Sequence, residues 1–226
     1  ISTLTIFLML NALVSGVFTT NLHDVIYTVI QKPLVGLGSS LPATLVSLFF
    51  VQILWFFGLH GQIIVNSVMD PIWNTLALEN LDAFKAREVP PHIITKPFME
   101  TFTVGLGGSG MTLMVVILMA FVMKSRQMKD IGRLAIGPGL FNVNEPVIFG
   151  LPIVLNASIA IPWILTPLIV TTVNYLSMAS GLFPTPTGVT VPWTVPLFFS
   201  GMMATNSVMG GVLQLIDLAI VGVMWY

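Results

Sequence analysis

Long apolar segments alternate along the chain with shorter segments that Gly, Pro and polar residues interrupt. A helix needs about 20 mainly apolar residues to cross the hydrocarbon core of a bilayer. Five windows reach or approach that length: Thr3 to Asn21, Leu41 to Leu59, Val104 to Met123, Ile159 to Leu176, and Leu197 to Tyr226. The pattern predicts an all-α, polytopic membrane protein with about five transmembrane helices.

Two further segments are too apolar for ordinary loops and too broken for straight spans. One runs from Ile136 to Pro152, and the other places the break Gly58 to Gln62 before the apolar stretch Ile63 to Met69. Gly and Pro weaken helices, and within a membrane the freed backbone groups are tolerated only when they are buried in protein or face a watery cavity. We therefore expect two re-entrant helical hairpins or discontinuous helices, which mark binding sites in transporters.

The charged residues fall into two clusters. The segment Asp70 to Glu100 carries charges of both signs and is expected in water or at the membrane interface, with a loop at Val89-Pro90-Pro91. The segment Lys124 to Arg133 holds four of the eight basic residues. The positive-inside rule predicts that this second cluster is cytoplasmic.

Composition narrows the class of protein further. The chain has 226 residues, of which 55% are hydrophobic and 8% charged, whereas soluble domains carry about 25% charged residues. The 8 Lys and Arg do not outnumber the 9 Asp and Glu, which excludes nucleic acid as a main partner. There is no Cys, so a cysteine nucleophile or phosphocysteine must come from another protein. Because the chain opens at Ile1 without an initiator Met and stops within an apolar run, we expect a piece of something longer.

Glu145 is the single formally charged residue between Leu134 and Ile216. A carboxylate inside a membrane costs at least a few kcal/mol unless it is paired or hydrated, so such residues usually mark a substrate or proton path. The alternative is a structural Glu that satisfies free N–H groups at the start of a broken helix. We favour the functional interpretation, because an Asn would cap the helix at lower cost.

Two other side chains extend this candidate site. His60 lies on the other broken segment, where it is either a packing or interfacial residue or a polar partner of Glu145. Trp193 lies in a polar, Pro-rich loop before the last apolar window. It is either a residue of the interfacial aromatic belt or a platform for the apolar face of a sugar ring.

Two further features of the sequence are weaker indications of function. The sequence Gly107-Gly108-Ser109-Gly110 is typical of some intramembrane serine proteases, but all three histidines precede it, so we expect close helix packing through small residues. Asp217 lies within the last apolar window and has no partner near it in sequence.

Two motifs carry a family resemblance, Trp55-Phe56-Phe57-Gly58-Leu59-His60-Gly61 and Phe141-Asn142-Val143-Asn144-Glu145-Pro146 with its continuation Val147-Ile148-Phe149-Gly150-Leu151-Pro152. The chain closely resembles the IIC component of the bacterial phosphoenolpyruvate-dependent sugar phosphotransferase system, lactose/cellobiose/chitobiose branch. The resemblance implies that residues 1–226 form one membrane-embedded, sugar-binding domain without the family's N-terminal helices. It also implies a multi-pass protein of the bacterial plasma membrane that is a homodimer at full length.

The resemblance further implies a permease that carries a disaccharide and presents a sugar hydroxyl for phosphorylation by a phosphocysteine on a soluble IIB partner. It assigns sugar binding to His60, Asn144, Glu145 and Trp193, and to Gln31 by a weaker match before Pro33-Leu34. Glu145 would also be the catalytic base for the attacking hydroxyl, because phosphoryl transfer needs positioning and a proton acceptor. No cofactor or metal is expected on this chain.

The rival interpretation is a secondary transporter in which Glu145 couples sugar movement to protons and the sugar leaves unmodified. Composition and broken helices fit both interpretations. An intramembrane hydrolase lacks a credible nucleophile and base.

Overall fold

The computed structural model describes residues 38–151 and 153–226, and this part of the chain is helical without strands. The helices are α1 Leu41–Phe56, α2 Gly61–Lys85, α3 Lys96–Met99, α4 Leu113–Phe121, α5 Arg126–Leu140, α6 Glu145–Gly150, α7 Ala157–Ala179, α8 Phe199–Thr205 and α9 Val208–Trp225. A π-helical turn, Glu100–Val104, follows α3 directly. The all-α prediction is confirmed for the described residues.

Two of the predicted spans coincide with single helices. The window Ile159 to Leu176 lies inside α7, and Leu41 to Leu59 corresponds to α1, which ends three residues earlier than expected. Among the described residues, α7 and α9 are long and apolar enough to cross a membrane, and α1 is apolar but shorter. The first window, Thr3 to Asn21, lies outside the described residues.

The other two windows are wrong as continuous helices. In Val104 to Met123, residues 105–112 form turns and the α-helix starts only at Leu113, because Gly107, Gly108 and Gly110 take left-handed backbone angles. In Leu197 to Tyr226, Asn206 ends α8 in the left-handed conformation and Ser207 caps α9. Hydropathy reports apolar character but not these turns.

The two predicted broken segments are both interrupted, although Gly137, Pro138 and Gly139 in the second lie within α5 and not at its break. Residues 57–60 separate α1 from α2, and residues 141–144 separate α5 from α6. Their re-entrant arrangement in the membrane stays a prediction. Within the mixed-charge segment, α2 continues through Pro71 as far as Lys85. The predicted loop around Val89 follows this helix.

Three clusters of buried side chains hold the helices together, and the two larger ones contain aromatic residues. One contains Trp73, Phe98, Phe102 and Leu213, and the other contains Val51, Trp55, Val116 and Trp163. The π-helical turn lies against the first cluster, and its carbonyls accept hydrogen bonds from side-chain amides: Gln214 Nε2 donates to the Thr101 carbonyl at 2.9 Å and Asn174 Nδ2 to the Phe102 carbonyl at 3.4 Å. These two amides fix the turn to α7 and α9.

Candidate functional site

One cavity of about 570 Å³ brings four of the predicted site residues together. His60, Asn144, Glu145 and Trp193 all line it. Its size lies within the range of about 300–1,000 Å³ that is usual for small-molecule sites. The fifth predicted residue, Gln31, lies outside the described residues.

His60 reaches the cavity because it caps the first turn of α2. Its Nδ1 accepts a hydrogen bond from the backbone N–H of Ile63 at 3.3 Å. A neutral imidazole with an accepting Nδ1 carries its proton on Nε2, so Nε2 is a donor. The ring centre lies 4.4 Å from that of Trp55, a buried cavity residue whose indole N–H has no acceptor within the described part of the chain.

Asn144 and Glu145 form the start of α6. Asn144 is buried, and its Nδ2 donates to the carbonyl of Ser109 at 2.6 Å. The Asn144 side chain makes no hydrogen bond that caps the helix. Glu145 is exposed and lines the cavity, and its carboxylate has no hydrogen-bond partner among residues 38–151 and 153–226. Its carboxylate is therefore not occupied in capping the helix.

Asn142 connects three segments that surround the cavity. Its Oδ1 accepts from the backbone N–H of Gly107 at 2.9 Å, and its Nδ2 donates to the carbonyls of Trp193 at 2.6 Å and Val195 at 3.2 Å. Asn142 is 3% exposed and has a φ of 64°, a left-handed conformation that Asn tolerates better than most residues. This side chain fixes the loop that brings Trp193 to the cavity.

The Gly-rich segment packs closely against its neighbours, as predicted, but it forms turns rather than a helix and it also lines the cavity. Gly108 and Ser109 line the cavity, and Ser109 Oγ donates to Gln62 Oε1 at 3.1 Å. A Cβ on Gly108 would lie 2.7 Å from the Asn142 carbonyl oxygen and 2.7 Å from Asn144 Cγ. Glycine is needed at position 108 because the turn lies too close to Asn142 and Asn144 to leave room for a Cβ.

A charged group that sequence reasoning missed borders the same cavity. Lys96 Nζ lies 2.7 Å from Asp70 Oδ1 and 2.6 Å from Glu100 Oε1, and both carboxylates line the cavity. Burial lowers the pKa of Lys96, but the hydrogen bonds and charges of Asp70 and Glu100 outweigh burial and raise the pKa above its usual 10.5. Lys96 is therefore protonated.

Trp193 and Asp217 have different surroundings. Trp193 is 47% exposed and forms part of the cavity wall. Asp217 is buried in α9, where one of its oxygens accepts from Asn174 Nδ2 at 2.9 Å, and it does not line the cavity.

Comparison with known proteins gives consistent matches. The family described as "Phosphotransferase system, EIIC" matches residues 1–167. The PTS system oligo-beta-mannoside-specific EIIC component of Bacillus subtilis (strain 168) is 65% identical over 224 residues, which are 99% of this chain and 51% of that protein. The PTS system cellobiose-specific EIIC component of Geobacillus stearothermophilus is 43% identical over 207 residues, 90% of this chain and 46% of that protein.

A solved structure agrees with the sequence matches. The crystal structure of the transporter ChbC, the IIC component from the N,N'-diacetylchitobiose-specific phosphotransferase system, superposes with a TM-score of 0.91 at 38% identity. The match covers 96% of this chain and 50% of that chain. The chain thus spans about half the length of the relatives it matches. These matches confirm the resemblance that the two sequence motifs indicated.

Proposed function

Because the chain belongs to the EIIC family of the phosphotransferase system, we propose that it is the sugar-binding part of a membrane permease for β-linked disaccharides of the cellobiose, lactose or chitobiose type. The permease carries the sugar across the bacterial plasma membrane and presents one hydroxyl to a phosphorylated IIB partner. The full-length protein is a homodimer in this proposal. The apolar helices α7 and α9 support the membrane location.

The observation that carries this proposal is the convergence of His60, Asn144, Glu145 and Trp193 on one cavity. The cavity combines aromatic side chains with hydrogen-bonding groups, as a sugar requires for its apolar ring faces and its hydroxyls. Trp193 is the platform for a ring face. The Nε2–H of His60 and the unpartnered indole N–H of Trp55 are donors for sugar hydroxyls.

Glu145 is the catalytic base of the proposed reaction. The sugar hydroxyl oxygen attacks the phosphorus of the IIB phosphocysteine, the P–S bond breaks, and the thiolate leaves with the bonding electrons. The hydroxyl proton passes to the Glu145 carboxylate, which has no partner in the described chain to occupy it. Asn144 and His60 position the ring, since such transfers depend mainly on positioning and charge.

The decisive experiment compares Glu145→Gln with the unaltered full-length protein. Membrane vesicles receive a disaccharide and phosphorylated IIB, and phosphate loss from IIB and sugar phosphate are measured. The amide keeps the shape but not the basicity, so turnover should fall by about 100-fold or more, while the protein stays folded. Glu88→Gln is the matched control, because Glu88 is exposed in the loop after α2 and does not line the cavity.

Normal turnover in Glu145→Gln contradicts the base role. The proton-coupled alternative gives a different result: unmodified sugar accumulates in response to a pH gradient without IIB. The family match does not favour that alternative.

A further inference from the structure

A second cavity of about 220 Å³ lies beside the first. Glu100 and Trp193 line both cavities, so the two spaces share a wall. The second cavity is smaller than the roughly 300–1,000 Å³ of an independent small-molecule site. It is therefore better understood as an extension of the first cavity than as a separate site.

One face of α2 runs past both cavities. Ile63, Asn66 and Asp70 line the first cavity, and Asn74 and Ala77 line the second. These positions recur every three or four residues, which places them in one row along a helix. Seven residues separate Asp70 from Ala77, an axial distance of about 10 Å at 1.5 Å per residue. The row places both cavities along the same face of α2.

Building on the proposed function, we propose that the second cavity is a subsite for an additional sugar ring, so that the protein binds a β-linked trisaccharide with the third ring beside Asn74. His60 and Glu145 line the first cavity and not the second. The reactive hydroxyl is held at that end, and the other end of the oligosaccharide enters the second cavity.

The walls of the second cavity have the chemistry that a sugar ring needs. Pro97, Val191 and Trp193 offer apolar surface for the ring, while Asn74, Lys96 and Glu100 offer groups that bond hydroxyls. Lys96 and Glu100 already bond each other at 2.6 Å, so they are held in place before the sugar arrives. Preorganised groups lose little conformational entropy on binding.

The test fills the second cavity and leaves the first unchanged. Asn74 is exposed and lines the second cavity, so Asn74→Trp places a large ring there without disturbing the protein core. Leu78→Trp is the matched control, because Leu78 lies on the same helix, is 62% exposed and lines neither cavity. Calorimetric titrations of the full-length protein use mannobiose with mannotriose and cellobiose with cellotriose.

We expect Asn74→Trp to weaken trisaccharide binding about tenfold or more while disaccharide binding changes less than about twofold. Retained disaccharide binding also shows that the variant is folded. Leu78→Trp should leave the affinities for the disaccharide and the trisaccharide unchanged. The subsite would be overturned if Asn74→Trp affected both sugars equally or affected neither. It would also be overturned if the unaltered protein did not bind a trisaccharide. If the unaltered protein binds none of mannobiose, cellobiose, lactose and chitobiose, the proposed function on which the subsite rests is overturned instead.

Discussion

Replacing Asn142 tests whether one buried amide holds the site together. In Asn142→Ala the three hydrogen bonds to Gly107, Trp193 and Val195 are lost. Each contributes about 1 kcal/mol net. Asn and Ala both have a Cβ that crowds the following carbonyl oxygen at a φ of 64°, so this strain does not change in the substitution. The free energy of unfolding should therefore fall by about 3 kcal/mol.

The assay is thermal and denaturant unfolding of the purified full-length protein, with disaccharide affinity measured in parallel. Asn142→Gly is the matched control, since it loses the same hydrogen bonds but tolerates the left-handed backbone. It should be about 1 kcal/mol more stable than Asn142→Ala. Both variants should bind sugar more weakly, because the loop of Trp193 is no longer fixed. An alanine variant as stable as the unaltered protein would refute the hydrogen-bond argument, and a glycine variant less stable than alanine would refute the backbone argument.

Two further substitutions probe the cavity wall and its support. Trp193→Ala should weaken disaccharide binding by about 1–3 kcal/mol if the indole is a stacking platform, and unchanged affinity in a binding titration would return Trp193 to an interfacial role. Gly110→Ala should lower the unfolding temperature strongly, because a Cβ there lies 2.3 Å from buried Trp163 and Gly110 has a φ of 79°. Gly137→Ala is its control: a Cβ there meets nothing within 4 Å, so equal unfolding temperatures in the two variants would contradict the packing explanation.

The sequence predicted the polar residues of the candidate site better than it predicted the residues that surround them. Glu145 could be found because it is isolated among neutral residues, and His60 because a helix breaks beside it. Both signals are local properties of the chain, and the structure brings the two residues to one cavity. Their roles in binding and catalysis stay predictions.

The other residues of the cavity wall could not be predicted, because their positions depend on tertiary contacts. Asp70 on α2 and Glu100 at the start of the π-helical turn belong to a charged stretch that suggested solvent, yet both line the cavity and bond Lys96. The turn that contains Ser109 lies in an apolar window that suggested a straight span. Hydropathy cannot distinguish such a turn from a helix when the residues are small and uncharged.

The π-helical turn Glu100–Val104 determines how the residues after it are rotated about the chain axis. A π-turn accommodates one residue more than an α-turn, and each helical residue turns the chain by about 100°. Removing one residue from this turn would rotate Ser109 relative to Glu100 by that angle, although both now line the same cavity. A one-residue deletion in this segment should therefore disturb the cavity more than a substitution there.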